Sequence, residues 1–502
     1  MTYRKFKADY LFTGREMADR EAVLITTEDG TVQDIIPVSG AGEDIEQVKG
    51  ILSPGFINCH CHLELSHLKG VLPERTGLVD FLLAVMQQRN FSPPADALRG
   101  PSVSTTSVPG IPGTPGFIQA AIAEAEAYML AGGIVAVGDI CNTTDTLVQK
   151  TAGRLYYHNF IETMGFIEQT APDRFENSRK IFDAFVAATA QKNTGRTWGN
   201  TGPQRENKGQ QKMYRGIVGN SLVPHAPYSV SSRLFELIAG FPDNRLLTIH
   251  NQEAAAENEF YLSGKGDFLR LYRAMGLDTS FFKGTGKRSL ESYLPLFYRK
   301  ESQHPAATAT AVQEHSPDPL RNRGRSMILV HNVATSQEDL QFALEGLSAN
   351  GRLSTGRHGQ SLANGQGSTI RQQSTDRPSS TGGQQSPDLF FCLCPNANLY
   401  ISGELPDVEL LIRKHCSIVI GTDSLASNHQ LSILEELKTL QRQLPQLPTP
   451  TLLQWATANG AEALQMDNVL GSFIPGKQPG IVLIEDINED RFTAGSIARR
   501  IL

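Results

Sequence analysis

The sequence predicts an α/β protein, a (β/α)8 barrel of the TIM type with a small β-sandwich domain built from both chain ends. Strand-like and helix-like stretches alternate through the centre of the chain, where eight apolar runs can be counted as strands. In a (β/α)8 barrel the reactive groups lie at the carboxyl ends of the strands. Five of the runs close on residues suited to bind a metal or move a proton, namely His62, His225, His250, His331 and Asp423.

The eight strand candidates are short runs rich in branched and aromatic residues. One covers residues 134–139 after a helical stretch at 117–131, and another covers residues 155–162 before a helical stretch at 179–190. The other six runs end at His62, His225, His250, His331, Cys394 and Asp423. Eight parallel strands with intervening helices close most economically into a barrel.

The two chain ends have a different character from the centre. Residues 1–52 and 471–502 consist of short strands and turns, so we expect them to form one composite β-domain beside a barrel at 53–470. Low-complexity stretches rich in Gly, Ser, Thr, Gln and Pro interrupt the barrel and cannot bury enough apolar surface to offset chain entropy. We interpret them as mobile surface insertions, with substrate lids as the alternative; they lie near residues 92–116, 191–212, 302–325 and 349–387.

The composition argues against several classes of partner. The 502 residues carry a net charge of −6 with mixed signs, which gives no basic surface for nucleic acid. No stretch approaches the ~20 apolar residues of a membrane span, and the polar N-terminus has no signal-peptide core. None of the six cysteines forms a Cys-x-x-Cys pair, so buried, reduced thiols are predicted. The sequence therefore predicts a cytoplasmic protein without nucleic-acid or membrane partners.

Two histidines on one strand give the first indication of a metal centre. His60 and His62 lie two residues apart, so they face the same side of a strand. His250 is the natural third ligand and Asp423 the fourth. Three histidines and one carboxylate around a single divalent ion leave a position for water, whose pKa the ion would lower toward ~7. A two-metal site often needs a bridging lysine at the end of the fourth strand. The run that ends at His225 has no lysine there, which favours a single ion. We expect Zn²⁺, with Fe²⁺ as the alternative.

Three further residues are candidates for proton transfer and substrate binding. Glu253 follows the fifth strand and could carry a proton to the substrate; the alternative is an exposed glutamate at a helix start. His331 could orient the attacking water, or it could be a core histidine. His225 could hydrogen-bond a heterocycle, with a purely structural role as the alternative. These assignments need the three side chains to meet at one end of the barrel.

A second zinc chemistry is weaker. His62 and Glu64 fit the His-x-Glu pattern of the small cytidine-deaminase fold. That fold also needs Pro-Cys-x-x-Cys, which the CLCP at residues 392–395 does not supply, and the chain is too long for it. No phosphate-binding glycine loop and no Gly-x-Ser-x-Gly elbow appears either.

Taken together, the motifs resemble those of the amidohydrolase superfamily, in its deaminase and chlorohydrolase branch. The resemblance implies metal ligands His60, His62, His250 and Asp423, with Asp423 also catalytic. It further implies Glu253 as the proton shuttle, His331 as the water-orienting histidine and His225 as a substrate contact. The matching segments are PGFINCHCH at 54–62, HAPYS at 225–229, HNQE at 250–253, VHN at 330–332 and GTDSLASN at 421–428.

Finer resemblances point to the substrate. The segment HAPY at 225–228 is similar to that of enzymes that deaminate S-adenosylhomocysteine and methylthioadenosine. LELS at 63–66 and GKGDF at 264–268 resemble aminodeoxyfutalosine deaminases, which makes Glu64 a second candidate substrate contact.

The sequence thus predicts a zinc-dependent aminohydrolase that acts on a small heterocycle of the adenine-nucleoside type and releases ammonia. Dimers are common in the resembled family, which makes a homodimer one option for the assembly, but no feature of the sequence indicates an interface. The alternatives are hydrolysis of a ring amide or of a chloro- or alkylamino-substituted heterocycle, and a catalytically silent scaffold.

Overall fold

The computed structural model describes residues 2–89, 116–193, 215–297, 325–345 and 388–502. The four predicted insertions lie outside these ranges except for residues at their edges, so the prediction that they are mobile also lies outside the described residues. Of those edges, residues 191–193 continue a helix that was expected to end at Ala190.

Within these ranges, strands dominate both chain ends, and strands and helices alternate between them. The strands are β1 Tyr3–Lys7, β2 Tyr10–Leu11, β3 Ala22–Thr27, β4 Val32–Pro37, β5 Ile45–Gln47, β6 Ile51–Pro54, β7 Phe56–Cys61, β8 Ile134–Cys141, β9 Tyr156–Thr163, β10 Gly216–Pro224, β11 Leu246–Asn251, β12 Ser326–His331, β13 Asp388–Leu393, β14 Ser417–Ile420, β15 Ile481–Asn488 and β16 Arg491–Arg500. The helices are α1 Val38–Ala41, α2 Leu78–Gln88, α3 Phe117–Ala131, α4 Leu147–Thr151, α5 Ala171–Asn193, α6 Ser232–Ala239, α7 Ala255–Ser263, α8 Phe268–Ala274, α9 Ser289–Tyr293, α10 Gln337–Glu345, α11 Pro395–Ile401, α12 Val408–Arg413, α13 Ile433–Gln443, α14 Thr449–Ala456 and α15 Ala458–Ala463.

The eight central strands form two parallel sheets. One has the order β7-β8-β9-β10 and the other β11-β12-β13-β14, so each sheet follows chain order. All neighbouring pairs in these sheets are parallel, with helices between most successive strands. The predicted α/β class is confirmed, and the strands correspond to the eight apolar runs of the sequence.

The two parallel sheets contact each other at both of their edges. At one edge Cys61 and Asp423 form an isolated parallel bridge. Beside it, the Asn58 side chain donates to Thr422 Oγ1 at 2.8 Å and accepts from the Thr422 N–H at 3.1 Å. At the other edge the backbone N–H of His250 donates to the carbonyl of His225 at 2.9 Å. These contacts bring the carboxyl ends of all eight strands to one side of the molecule.

Gly421 shows why the segment before Asp423 needs a residue without a side chain. A Cβ at this position would lie 2.8 Å from the Cβ of His60 and 2.9 Å from the Sγ of Cys392. Such distances are shorter than van der Waals contact, so any larger residue would push Asp423 away from His60. The glycine in the GTD segment therefore lets β14 approach β7 closely enough for the two side chains to meet.

The terminal strands form two further four-stranded sheets, ordered β4-β3-β1-β5 and β16-β15-β6-β2. In the second of these, β15 from the C-terminal part pairs antiparallel with β6, which leads through Gly55 into β7.

All six cysteines are free thiols, and five of them are buried, as predicted. Among the described residues, no helix is both long enough and apolar enough to cross a membrane.

Candidate active site

The four residues predicted as metal ligands converge at the carboxyl ends of β7, β11 and β14. The Nε2 atom of His62 lies 3.2 Å from Nε2 of His60 and 3.3 Å from Nε2 of His250. Asp423 Oδ1 lies 3.5 Å from Nε2 of His60 and 3.4 Å from Nε2 of His62. All four side chains are nearly inaccessible to solvent. Their facing atoms therefore surround one small volume.

His331 joins the same cluster. Its ring, with those of His60 and His250 and the carboxylate of Asp423, offers ligand-type atoms that all lie within 4.8 Å of one another. The Nδ1 atom accepts from the Asn398 amide at 3.1 Å, whereas the buried Nε2 has no hydrogen-bond partner among the described residues. Because Nδ1 accepts, the neutral ring carries its proton on Nε2 and offers the cluster a hydrogen-bond donor. The facing imidazoles of His60, His62 and His250 and the carboxylate of Asp423 are ligand types that fit a divalent ion of borderline hardness such as Zn²⁺.

The backbone at the strand ends is strained where it presents these residues. His331 and Asn332 have φ angles of 74° and 61°, and Asp423 has a φ of 56°. Such left-handed conformations are uncommon outside glycine and are retained where surrounding contacts hold them. The Asn332 amide donates to the carbonyl of Leu329 at 2.9 Å, and Ser427 Oγ donates to Asp423 Oδ2 at 2.5 Å. These bonds hold the turns that direct His331 and Asp423 into the cluster.

The electrostatics of the cluster favour neutral imidazoles and an ionised carboxylate. Burial lowers the pKa of His62 and His331 well below the usual range, and it lowers the pKa of His225 and His250 to about 4. Burial by itself would raise the pKa of Asp423, but the hydrogen bond with His60 and the neighbouring histidines hold it well below its usual value. Neutral imidazole and carboxylate are the forms that bind a metal ion.

Glu253 lies beside the cluster, and its pKa is shifted in the opposite direction from that of Asp423. It is only 6% exposed, which argues against a solvated glutamate at a helix start. Its Oε1 lies 3.6 Å from Nε2 of His331. Burial and then the charge of Asp423 raise the pKa of the Glu253 carboxyl well above its usual value. Its environment therefore favours the protonated carboxyl, beside an Asp423 whose environment favours the ionised form.

The two predicted substrate contacts have different surroundings. His225 is partly buried, with Nδ1 2.7 Å from Ser229 Oγ and its ring centroid 4.9 Å from that of His250. Glu64 is 3% exposed and contacts the guanidinium of Arg89. Its Oε2 also accepts from the backbone N–H groups of the two residues that follow β8, at 3.0 and 3.1 Å. His225 thus borders the cluster, whereas the Glu64 carboxylate binds Arg89 and the backbone after β8.

The structure adds two residues that the sequence argument did not assign. Glu162, near the end of β9, lies with His225 and His250 in a second group whose ligand-type atoms are within 4.8 Å of one another. The strand prediction for residues 155–162 already ended at this carboxylate, and that was the available signal. Asn398, the partner of His331, lies in α11 and no pattern in the sequence distinguishes it.

Glu436 in α13 supports the loop that follows Asp423 and gives a pH-dependent prediction. Its carboxylate accepts from the Asn396 N–H and the Asn428 amide, both at 2.8 Å, while burial raises its pKa to about 8. The folded chain therefore holds this group protonated where the unfolded chain ionises it, so its stabilising contribution is lost as the pH rises from about 4.5 to 8. We expect Glu436→Gln to gain stability relative to the wild type over that window, measured by urea unfolding at pH 5.5 and 8.5.

Partly exposed Glu435 provides the control for this experiment, since Glu435→Gln neutralises the neighbouring carboxylate of the same helix. A difference between wild type and Glu436→Gln that stays constant with pH would contradict the prediction.

An α/β chain that gathers histidines, an aspartate and a buried glutamate with a raised pKa at its strand ends has the construction of a metal-dependent hydrolase. The resemblance to the amidohydrolase superfamily is confirmed, because residues 356–497 match the profile of the amidohydrolase family. A segment of 105 residues is 33% identical to 5-methylthioadenosine/S-adenosylhomocysteine deaminase of Thermoanaerobacter pseudethanolicus. That segment covers 20% of this chain and 24% of the relative, so the match spans about a quarter of that protein's length.

Solved structures extend the likeness to the whole fold. The chain is similar to Helicobacter pylori aminofutalosine deaminase in complex with methylthio-coformycin, with a TM-score of 0.62 and 17% identity over 99% of this chain and 100% of that one. It is also similar to an adenosine deaminase from Xanthomonas campestris with bound zinc, with a TM-score of 0.55 and 18% identity over 96% of this chain and 84% of the other. At such identities these likenesses concern the fold.

Proposed function

We propose that the chain is a metal-dependent aminohydrolase that replaces the exocyclic amine of an adenine-type nucleoside by oxygen and releases ammonia. One observation carries the proposal: the buried Glu253, whose pKa is raised, lies beside a buried cluster of histidines and Asp423, whose pKa is lowered. The deaminase names of the relatives support the same reaction and the nucleoside class. S-Adenosylhomocysteine, methylthioadenosine and aminodeoxyfutalosine are the candidate substrates.

In this proposal His60, His62, His250 and Asp423 hold a single divalent ion, with Zn²⁺ favoured. When bound, the ion would polarise a water molecule and lower its pKa toward ~7, which makes a nucleophile available at neutral pH. The unpartnered Nε2 of His331 orients the attacking water, because it points into the same volume. The ligand set would then contain three of the four clustered histidines, and His331 would remain free for catalysis.

Proton transfer follows from the contrast between Asp423 and Glu253. Asp423 is ionised and accepts the proton of the attacking water. Glu253 holds a proton on its carboxyl group and donates it to a ring nitrogen when the C–O bond forms at the amine-bearing carbon. The ionised Glu253 then takes the proton of the newly added hydroxyl group and gives it to the leaving amine, so that a C=O bond forms as the C–N bond breaks and ammonia leaves. The proton held by Asp423 then restores the Glu253 carboxyl group. His225, at the edge of the cluster, hydrogen-bonds the heterocycle.

The proposal includes an architecture that keeps these residues together. The two parallel sheets close into one (β/α)8 barrel across the Asn58–Thr422 contact and the His225–His250 contact. The two terminal sheets form a composite β-domain of residues 1–52 and 471–502, with the barrel at 53–470.

The test is ammonia release by the metal-loaded chain from adenosine, S-adenosylhomocysteine, methylthioadenosine, aminodeoxyfutalosine, guanine and cytosine, with metal content determined on the same sample. Turnover of an adenine nucleoside with about one ion per chain supports the proposal. Full metal content with no ammonia from any of the six would overturn it. The ring-amide or chlorohydrolase alternative would then be tested by ring-opened or dechlorinated products, and a folded chain that binds no metal would favour the silent scaffold.

A further inference from the structure

A series of polar contacts connects the carboxyl ends of the first five central strands. It begins at Glu64 after β7, continues through Asn142 after β8 to Glu162 in β9, and ends at His250 in β11 beside the carbonyl of His225 after β10. Three of its members, Glu64, Glu162 and His250, are between 3% and 6% exposed. The series therefore crosses one half of the strand ends within the protein interior and ends on a residue of the metal cluster.

Two hydrogen bonds and one longer polar contact link the members of the series. Glu64 Oε2 accepts from the Asn142 N–H at 3.0 Å, which fixes the turn after β8. The Asn142 side-chain amide then donates to Glu162 Oε2 at 3.0 Å. The other oxygen of Glu162, Oε1, lies 3.6 Å from Nδ1 of His250. Arg89 contacts the outer end of the series at Glu64.

The final contact determines which nitrogen of His250 can face the cluster. Nδ1 of His250 lies 2.8 Å from the carbonyl oxygen of His225. A carbonyl oxygen can only accept, so Nδ1 carries the ring proton and Nε2 presents its lone pair toward His62. The Glu162 carboxylate stands on the Nδ1 side of the ring, where a negative charge stabilises the N–H and opposes the other tautomer. The acceptor of the ring N–H is the His225 carbonyl, and the Glu162 carboxylate adds its charge from 3.6 Å. Partners on this side of a metal-binding histidine commonly orient the ring and raise its basicity.

We infer that Glu162 is a positioning residue for His250, and that Glu64 acts through Asn142 to hold Glu162 in place. This assignment gives Glu64 a role other than the substrate contact predicted from the sequence. It rests on the metal centre of the proposed function but not on the substrate. A competing arrangement is a second ion bound by Glu162, His225 and His250. That arrangement would require Nδ1 of His250 to give up its proton and its bond to the His225 carbonyl.

The test measures metal binding without any substrate. Metal-free wild type and variants are titrated with Co²⁺ against a competing chelator, and the visible spectrum of the bound Co²⁺ reports its coordination. We expect Glu162→Gln to weaken Co²⁺ binding by about 10- to 100-fold, as for other partners of metal-binding histidines, and to alter the spectrum. Asn142→Ala removes the side-chain amide that donates to Glu162, so it should also weaken Co²⁺ binding. It serves as the second variant if Glu162→Gln does not fold.

Glu126→Gln is the matched control. Glu126 is a fully buried carboxylate that accepts from the Tyr157 hydroxyl at 2.7 Å and has no contact with the series. Because Glu126 contacts none of the proposed metal ligands, this control should keep its Co²⁺ affinity within about twofold of the wild type. Unchanged affinity and spectrum in Glu162→Gln would overturn the inference. Two ions per wild-type chain, with one lost in Glu162→Gln, would overturn it in favour of a second metal site. A wild type that binds no Co²⁺ would overturn the proposed function itself, together with this inference.

Discussion

Glu253→Gln is expected to lower kcat by at least about two orders of magnitude while leaving the metal content unchanged. The size follows from the usual contribution of a general acid or base, about 10²- to 10⁴-fold. Glutamine keeps the shape and a hydrogen-bond donor but cannot release a proton to the ring nitrogen. Burial and the charge of Asp423 raise the pKa of Glu253 well above its usual value, which favours the protonated carboxyl that can do so.

The measurement is kcat for ammonia release on the substrate found in the screen, with metal content and thermal unfolding determined for each protein. Glu259→Gln is the control, because Glu259 is an exposed carboxylate on α7 close in sequence. A Glu253→Gln enzyme with a nearly wild-type rate would remove Glu253 from the mechanism. Loss of metal together with rate would show instead that Glu253 supports the ligands.

The convergence of the four proposed ligands could be predicted from the geometry of the strands. His60 and His62 share one face of a strand, and His250 and Asp423 each close an apolar run. Parallel strands place their carboxyl ends on one side of a sheet, so such residues need no further information to be brought together. The structure places all four within a few ångströms of one another.

The supporting contacts could not be predicted, because they join residues with no pattern between them. Asn398 lies in the helix that follows the next strand, and no spacing in the sequence marks it as the partner of His331. The contacts of Glu64 with Arg89 and with the turn after β8 depend on how a helix packs after β7. Sequence reasoning could place Glu64 near the site but could not tell whether its carboxylate faces substrate or protein.

A buried ion pair lies close to the same strand ends. Lys150 and Asp139 are both completely buried, and Lys150 Nζ lies 2.5 Å from Asp139 Oδ2. The ammonium group also donates to Asn159 Oδ1 at 2.7 Å, and Asp139 Oδ1 accepts from the Leu63 N–H at 2.9 Å. Leu63 directly follows His62. This ion pair therefore holds the backbone directly after a predicted metal ligand.

Lys150→Met is expected to lower the free energy of unfolding by about 3–5 kcal/mol, because it leaves the Asp139 carboxylate buried without its counter-charge. Combining it with Asp139→Asn should restore much of that loss, since the amide is neutral and its oxygen can still accept from the Leu63 N–H. Urea unfolding of the wild type, both single variants and the double variant measures the coupling between the two side chains. A double variant no more stable than Lys150→Met alone would show that the buried charge is not the cause.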